Sequence, residues 1–299
     1  MQSLLTILTA TYNRAHLLPD LYHSLQKQTL HAFEWIIIDD GSTDNTQELI
    51  QGWINDKNSF QIQYHYTVNG GKNRAINYGV KHVQAPFTII VDSDDFLTDD
   101  AIEFYQQNLT DIIDKKKLVG IAGLRGTDIN HPLNKVAYPT NTFVVANNLE
   151  RSKYNLQKDA CEVYRTSILL NHPFFVWENE KFSPEEIVWN QLALEGYSFR
   201  WYNKVTCIVR YQENGLTKDS FNLIKKNPMG YAMMYKQRIL LSNNFKNKFY
   251  NATQMIAYSI IGKSFNYIYK ENKDKVITSL ALPMGLILSI RRKIQFTTI

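Results

Sequence analysis

The sequence contains few cysteines and no long apolar run. Only Cys161 and Cys207 occur among 299 residues, and no CxxC pair exists. This excludes a disulfide-rich secreted scaffold and a cysteine-based zinc site, and it favours a reducing compartment. The N-terminus lacks the positively charged opening of a signal peptide, so we expect a cytoplasmic protein. No apolar stretch reaches the ~20 residues needed to span a bilayer.

Common nucleotide-binding signatures are missing as well. The chain has neither a GxGxxG fingerprint nor the Gly-Lys-Ser/Thr of a Walker A loop, so a dinucleotide-binding or P-loop protein is not predicted. The basic C-terminal part carries no recognisable nucleic-acid motif, and we therefore predict no nucleic-acid partner.

The charge is distributed unevenly along the chain. Residues 218–299 hold 14 Lys and Arg against 3 Asp and Glu, whereas residues 1–217 carry a net charge of −6. A mildly acidic body with a basic tail predicts a tail that faces anions, such as phospholipid or an anionic polymer.

The first 100 residues alternate between strand and helix patterns. Short apolar runs predict strands at 4–9, 35–38, 61–67 and 87–91, and helical spacing lies between them at 17–28, 43–53 and 72–82. This order predicts a parallel sheet, whose ligand site lies outside the carboxyl ends of the strands. Beyond it, strand-like pieces occur at 119–122, 141–145 and 205–211, and a helix is predicted over 185–195.

Four polar clusters coincide with the predicted strand ends or helix starts. They are Thr9–Arg14, Asp39–Asp44, Asn69–Gly79 and Asp92–Asp95.

Two of these clusters carry chemical information by themselves. Lys72 and Arg74 fall in the first turn of a helix, where cations oppose the helix dipole unless an anion such as a diphosphate lies nearby. Asp92, Asp94 and Asp95 repel one another unless a cation lies among them, and Mg²⁺ or Mn²⁺ bridging a nucleotide diphosphate fits that need. Helix caps and a solvated acidic turn are the structural alternatives.

In this order the four clusters resemble the GT-A glycosyltransferases of the inverting family 2. The resemblance is strong over about the first 100 residues and loose to residue 215. It implies an α/β fold with a mixed, mainly parallel sheet flanked by helices. We expect a GT-A domain over 1–217, with a nucleotide-binding half at 1–100 and an acceptor half at 101–217. A basic helical extension would cover 218–299.

The resemblance also implies roles for individual residues. Asp40 would contact the uracil, and Asp92 would contact the ribose. Asp94 would bind the metal together with Asp92. Asp95 would be a second metal ligand or a structural partner. The implied donor-binding set is Thr9, Thr11, Tyr12, Asn13, Arg14, Asp40, Gly71, Lys72, Arg74, Asp92, Ser93 and Asp94.

The family carries an acidic pair at a helix start, matched here by Glu185 and Glu186. Glu186 would be the general base and Glu185 would bind the acceptor, although two acids after Pro184 are also ordinary N-terminal helix charges. Arg125 would hold the acceptor or a leaving phosphate, or be a surface arginine. No histidine follows residue 172, so the metal would use Asp94, the diphosphate and water, or Glu213.

These implications predict a metal-dependent hexosyl- or N-acetylhexosaminyltransferase that uses Mn²⁺ or Mg²⁺. It would move one sugar from a UDP-sugar to a glycan or lipid-linked acceptor in surface-polysaccharide synthesis, since the QxxRW motif of processive members is absent. A non-catalytic homologue and a nucleotidyltransferase are the alternatives, although the latter would show GxGxR after the first strand. An oligomer is possible.

The apolar segment 276–293 ends in Arg291, Arg292 and Lys293. It predicts an interfacial helix that holds the protein on the inner face of the cell membrane, or else a core helix.

Overall fold

The computed structural model describes residues 3–210, 220–270 and 272–297. The chain divides into two compact units. The first comprises 1–173 and 188–212, and the second comprises 174–187 and 213–299. The predicted boundary at 217 lies outside the described residues, as does Glu213. Segment 174–187, which we assigned to the acceptor half, clusters with the C-terminal helices.

The first unit is built on one mixed sheet of ten described strands. The strands are β1 (Leu5–Thr11), β2 (Phe33–Asp39), β3 (Gln61–Tyr66), β4 (Phe87–Ile90), β5 (Asp95–Leu97), β6 (Leu118–Asp128), β7 (His131–Pro132), β8 (Phe143–Ala146), β9 (Ala160–Arg165) and β10 (Ser198–Val209). Their order is β3-β2-β1-β4-β9-β6-β10-β5, with β7 beside β6 and β8 beside β10. β3, β2, β1 and β4 are parallel, whereas β9 runs antiparallel to β4 and β6. The predicted mixed, mainly parallel α/β fold is confirmed.

The helices of this unit follow the strands along the chain. They are α1 (Leu18–Gln26), α2 (Thr46–Asn55), α3 (Lys72–Val80), α4 (Ala101–Leu109), α5 (Thr166–Asn171) and α6 (Glu186–Leu194). The first two residues of α6 belong to the second unit. The core cluster includes Trp35, Ile37, Phe87 and Ile89 of the central strands, which are 0–1% exposed. Burial on both faces explains the apolar run Trp35–Ile38 of β2 and the mainly apolar sequence of β4.

The second unit is helical. Its helices are α7 (Ser220–Lys226), α8 (Pro228–Leu241), α9 (Phe245–Ile261) and α10 (Lys275–Thr297). Met255, Ile256 and Ala281 are buried between α9 and α10, and no described helix is long and apolar enough to cross a membrane.

A buried carboxylate accepts hydrogen bonds from the first turn of α8, and its raised pKa predicts that the stability of the fold depends on pH. Glu180 is 7% exposed, and it accepts hydrogen bonds from the backbone N–H groups of Met229 (2.6 Å) and Gly230 (2.8 Å). Burial raises the pKa of Glu180, although both hydrogen bonds oppose the shift. A raised folded-state pKa stabilises the fold below the unfolded-state value, and this contribution is lost as the pH rises through the folded-state value.

We therefore expect Glu180→Gln, which cannot ionise, to gain stability relative to wild type as the pH rises from 4 to 8. Urea unfolding at several pH values measures this difference. The exposed Glu178→Gln is the control, and parallel pH curves for wild type and Glu180→Gln would contradict the assignment.

Candidate functional site

Three parallel strands bring the predicted polar clusters to one edge of the sheet. β1, β2 and β4 are adjacent, and they end at Thr11, Asp39 and Ile90. The residues that follow each strand therefore meet outside the same edge, as expected for a ligand site of an open α/β sheet. The loop before α3 completes the group, because it follows β3 beside β2.

Asp40 fixes the glycine-rich loop before α3. Its carboxylate accepts hydrogen bonds from the backbone N–H groups of Gly70 (2.7 Å) and Gly71 (2.8 Å). Gly71 has φ +94°, a conformation that favours glycine, and it caps α3. Asp40 is 4% exposed. These contacts assign Asp40 a loop-fixing role, and its contact with uracil stays a prediction.

The loops after β1 and β2 are tied together by short polar side chains. Asn13 has φ +52°, its N–H donates to Ser42 Oγ (2.9 Å), and its Oδ1 accepts from the N–H of Thr43 (2.7 Å). Asp44 Oδ2 accepts from the N–H of Ala15 (3.2 Å). Burial opposes ionisation of Asp44, but hydrogen bonds from Thr46 and Ala15 lower its pKa. Residues of both motifs thus shape this edge through hydrogen bonds to the backbone.

Basic side chains surround the acidic cluster after β4. Lys72 Nζ lies 2.7 Å from Asp92 Oδ1, and Arg14 Nη1 lies 3.4 Å from Asp94 Oδ2. Arg125 Nη1 lies 2.7 Å from Asp95 Oδ2 and 3.4 Å from Asp92 Oδ2. The repulsion among the three carboxylates is therefore balanced by three cations of the protein itself.

The environment of the cluster shifts the pKa values of Asp92 and Asp95 in opposite directions. Burial opposes ionisation of Asp92, but Lys72 and Arg125 hold its pKa well below the usual range. Burial raises the pKa of Asp95 to about 7, and the neighbouring Asp92 and Asp94 add to the rise while Arg125 opposes it. Asp92 is thus a permanent anion, whereas Asp95 titrates near neutral pH.

The described residues fit a divalent metal only in part. No group of three or more His, Cys, Asp or Glu side chains suited to a metal occurs in the described ranges. Asp92 is engaged by Lys72 and Arg125, which does not favour it as a ligand. Asp94 is one-quarter exposed, and its contact with Arg14 is long, at 3.4 Å. A metal would therefore rely on Asp94, with phosphate oxygens and water completing its coordination.

The other residues predicted to bind the donor differ in their exposure and in their contacts. Thr9 is 0% exposed, and its hydroxyl accepts a hydrogen bond from Trp35 Nε1 (3.0 Å), so the prediction that Thr9 lines the pocket is not supported. The buried hydroxyl of Thr11 has no hydrogen-bond partner within the part of the chain that the structure describes. Tyr12 is 47% exposed, Ser93 is buried, and Arg74 donates to the carbonyl of Gly70.

Arg125 is not a surface arginine. Its side chain is 15% exposed, and Nε donates to the carbonyl of Ala160 in addition to its contacts with Asp92 and Asp95. A guanidinium held on several sides in this way positions the acidic cluster, and an acceptor role stays a prediction. One signal could have shown this contact: Arg125 interrupts an apolar strand run, where a buried cation requires carboxylates.

The predicted acidic pair lies in the second unit. Both Glu185 and Glu186 are half-buried at the start of α6. Arg238 of α8 donates two hydrogen bonds to the carboxylate of Glu186, from Nε to Oε1 at 2.8 Å and from Nη2 to Oε2. The paired guanidinium fixes the orientation of this carboxylate, a contact that sequence reasoning missed.

Relatives of this chain support the resemblance carried by the motifs. Residues 6–114 match the model of glycosyl transferase family 2. Poly(ribitol-phosphate) beta-N-acetylglucosaminyltransferase TarS of Staphylococcus aureus is 26% identical over 61% of this chain and 31% of its own length. Glycosyltransferase GlyG of Streptococcus pneumoniae is 33% identical over 36% of each chain. The chain thus spans about a third of the length of these curated relatives.

Solved structures share the fold. S. aureus TarS with UDP-GlcNAc has a TM-score of 0.59 at 16% identity, covering 95% of this chain and 81% of that one. The mannosyltransferase PcManGT of Pyrobaculum calidifontis, with GDP-Man and Mn²⁺, has a TM-score of 0.57 at 13% identity, covering 97% and 88%. Residues 6–114 are therefore similar to glycosyl transferase family 2, and the chain has the GT-A fold.

Proposed function

We propose that this protein is an inverting glycosyltransferase that moves one sugar from a UDP-sugar to a hydroxyl group of a glycan or lipid-linked acceptor. The observation that carries the proposal is the charge-balanced cluster of Arg14, Lys72 and Arg125 with Asp92, Asp94 and Asp95 at the sheet edge. It joins side chains from four separate segments, three of which belong to the family motifs.

The cluster suits a nucleotide diphosphate for an electrostatic reason. Arg14 and Lys72 are each about one-quarter exposed while paired with a carboxylate, so each presents donors to a ligand at the edge. Negative charge develops on the leaving UDP during sugar transfer. Cations placed beforehand stabilise that charge more in the transition state than in the ground state.

The proposal includes a divalent metal, Mn²⁺ or Mg²⁺, held by Asp94. When bound, the ion would help to neutralise the diphosphate. Asp92 stays ionised because of Lys72 and Arg125, and in the proposal it accepts hydrogen bonds from the ribose.

In the proposed reaction Glu186 accepts the proton of the acceptor hydroxyl, and the hydroxyl oxygen attacks the anomeric carbon as its bond to UDP breaks. One displacement inverts the anomeric centre. The support for this role is the family resemblance, together with the orientation that Arg238 imposes on Glu186. The acceptor class is part of the proposal and is supported by the similarity to the poly(ribitol-phosphate) glycosyltransferase TarS. A site of action at the inner membrane face is also proposed, and the basic tail supports it.

The proposal is tested by UDP release from a panel of UDP-sugars, with Mn²⁺, Mg²⁺ or EDTA and a lipid-extract acceptor. Asp94→Asn keeps the shape of the side chain but removes the charge of the proposed metal ligand. We expect release from a preferred sugar to need metal and to fall at least 100-fold in this variant, since removing one preorganised stabiliser costs roughly 10²–10³.

The matched control is Asp114→Asn, which changes an exposed aspartate outside the motifs and should leave UDP release unchanged. UDP release that is equally fast in EDTA would contradict the proposed metal requirement. Failure of the chain to bind any uridine nucleotide would contradict the proposal that this cluster is the donor site.

A further inference from the structure

Helix α10 has an unusual arrangement of side chains. Its buried residues are Thr278, Ala281, Gly285, Ser289 and, near its C-terminal end, Phe296, so four of the five are small, and Ile277 and Leu282 are partly buried beside them. Most of its large apolar residues are exposed: Val276 is 75% exposed, Leu280 56%, Met284 51%, Leu286 45%, Ile287 60%, Ile290 60% and Ile294 61%. A surface helix of a globular protein normally shows the reverse pattern, with its apolar stripe facing the core.

Close packing against α9 explains the inner face. A Cβ atom on Gly285 would lie 2.5 Å from Ile256 Cγ2, so only glycine permits this approach. Arg292 also faces α9, where it contacts Tyr258 and donates to Gln254 Oε1 (2.6 Å). The small inner residues bring the two helices together, and most of the bulky apolar residues of α10 lie on its outer face.

The outer residues form one continuous strip. At 100° per residue, Val276, Leu280, Ile287, Ile290 and Ile294 fall within an arc of about 80°, and the strip is about 27 Å long. Scattered apolar residues on a surface need no explanation, but a contiguous strip marks an interaction surface.

Basic side chains beside the strip indicate which kind of partner it binds. Exposed Lys275, Arg291 and Lys293 accompany the strip, and the sequence 275–299 contains no Asp or Glu. Asp274, just before the helix, is paired with Lys248 at 3.0 Å. A second α10 would bring like charges together without an acidic partner. An anionic lipid surface satisfies both features, because the apolar strip enters the acyl boundary while the basic side chains reach the headgroup phosphates.

We propose that α10 binds an anionic lipid surface, lying in its plane with the strip Val276–Ile294 inserted. The inference deepens the membrane partner proposed above, but it does not rest on the transferase chemistry. Lipid binding is measured without donor or acceptor, so failure of one proposal is distinguishable from failure of the other.

The test is vesicle flotation of the full chain with phosphatidylcholine alone and with a 7:3 mixture of phosphatidylcholine and phosphatidylglycerol. We expect binding to the anionic vesicles that weakens at high salt. Leu280→Ser/Ile287→Ser/Ile290→Ser should reduce the partition constant at least tenfold. Arg291→Gln/Lys293→Gln should reduce it roughly 25-fold, because each basic residue near an anionic surface contributes about fivefold.

The matched control is Ile113→Ser/Leu170→Ser/Leu194→Ser, which removes three apolar side chains of 48%, 49% and 59% exposure outside α10. It should bind like wild type, and thermal unfolding verifies that every variant is folded. Equal binding by wild type and the α10 variants, or no binding to anionic vesicles, would overturn the proposal. So would a dimer in light scattering that the strip variant dissociates, because the strip would then join two copies.

Discussion

Glu186→Gln is expected to lower kcat for sugar transfer by roughly 10²–10⁴-fold, the usual contribution of a general base. The substitution keeps the length and shape of the side chain but removes the group that accepts the proton. UDP affinity should not change, because the donor cluster contains no atom of Glu186. Steady-state kinetics with the preferred donor, together with UDP titration, measure both quantities.

The ion pair with Arg238 requires a control that separates chemistry from structure. Arg238→Gln breaks the same bidentate contact but leaves the Glu186 carboxylate in place. If Glu186 is the base, its variant should lose far more activity than Arg238→Gln at similar thermal stability. Equal losses in the two variants would assign Glu186 a structural role, and the matched Glu185→Gln would then be the next test of the base.

Arg125→Met is expected to lower the free energy of unfolding by about 3 kcal/mol, since removing one partner of a buried ion pair leaves a buried charge uncompensated. Asp95 is 5% exposed and would lose its contact at 2.7 Å, and Asp92 would lose one of its two cations. Urea unfolding in buffer with EDTA measures the change without a contribution from metal binding.

The destabilisation should depend on pH in a definite direction. The folded-state pKa of Asp95, about 7, lies above its unfolded-state value. Its protonation therefore stabilises the fold below the unfolded-state pKa, and this effect is lost as the pH rises through 7. Without Arg125 the buried carboxyl group of Asp95 is harder to ionise. The loss of unfolding free energy in Arg125→Met should therefore be smaller at pH 5.5 than at pH 8.

A surface ion pair provides the comparison for Arg125. Arg210 pairs with Asp20, and both side chains are about half exposed. Arg210→Met should cost less than about 1 kcal/mol, because exposed pairs contribute little. A cost for Arg125→Met as small as that of Arg210→Met would show that the acidic cluster does not depend on its buried cation.

The sequence predicted the location of the candidate site more reliably than the contacts within it. Apolar runs followed by polar clusters place residues 9–14, 39–44 and 92–95 at the ends of strands. The carboxyl ends of neighbouring parallel strands must meet at one edge. The sequence does not signal β9 as clearly, and its antiparallel insertion between β4 and β6 makes the sheet mixed.

The roles of adjacent residues depended on the tertiary structure. Asp39 and Asp40 are neighbours, yet Asp39 accepts from Tyr64 and Asp40 holds the Gly70–Gly71 loop, because successive side chains of an extended segment point in different directions. Arg125 meets Asp95 across 30 residues of chain. Such a contact leaves no periodic signal in the sequence.

By itself, the sequence determined the α/β class, the edge of the sheet where the polar motifs gather, and the basic character of the tail. These properties follow from local periodicity and composition, which need no knowledge of distant partners. Only the tertiary structure decided that Thr9 is a core residue, that Arg125 supports the acidic cluster and that α10 exposes most of its large apolar residues. Each of these depends on which distant surface a residue packs against, and packing is settled only when the chain is folded.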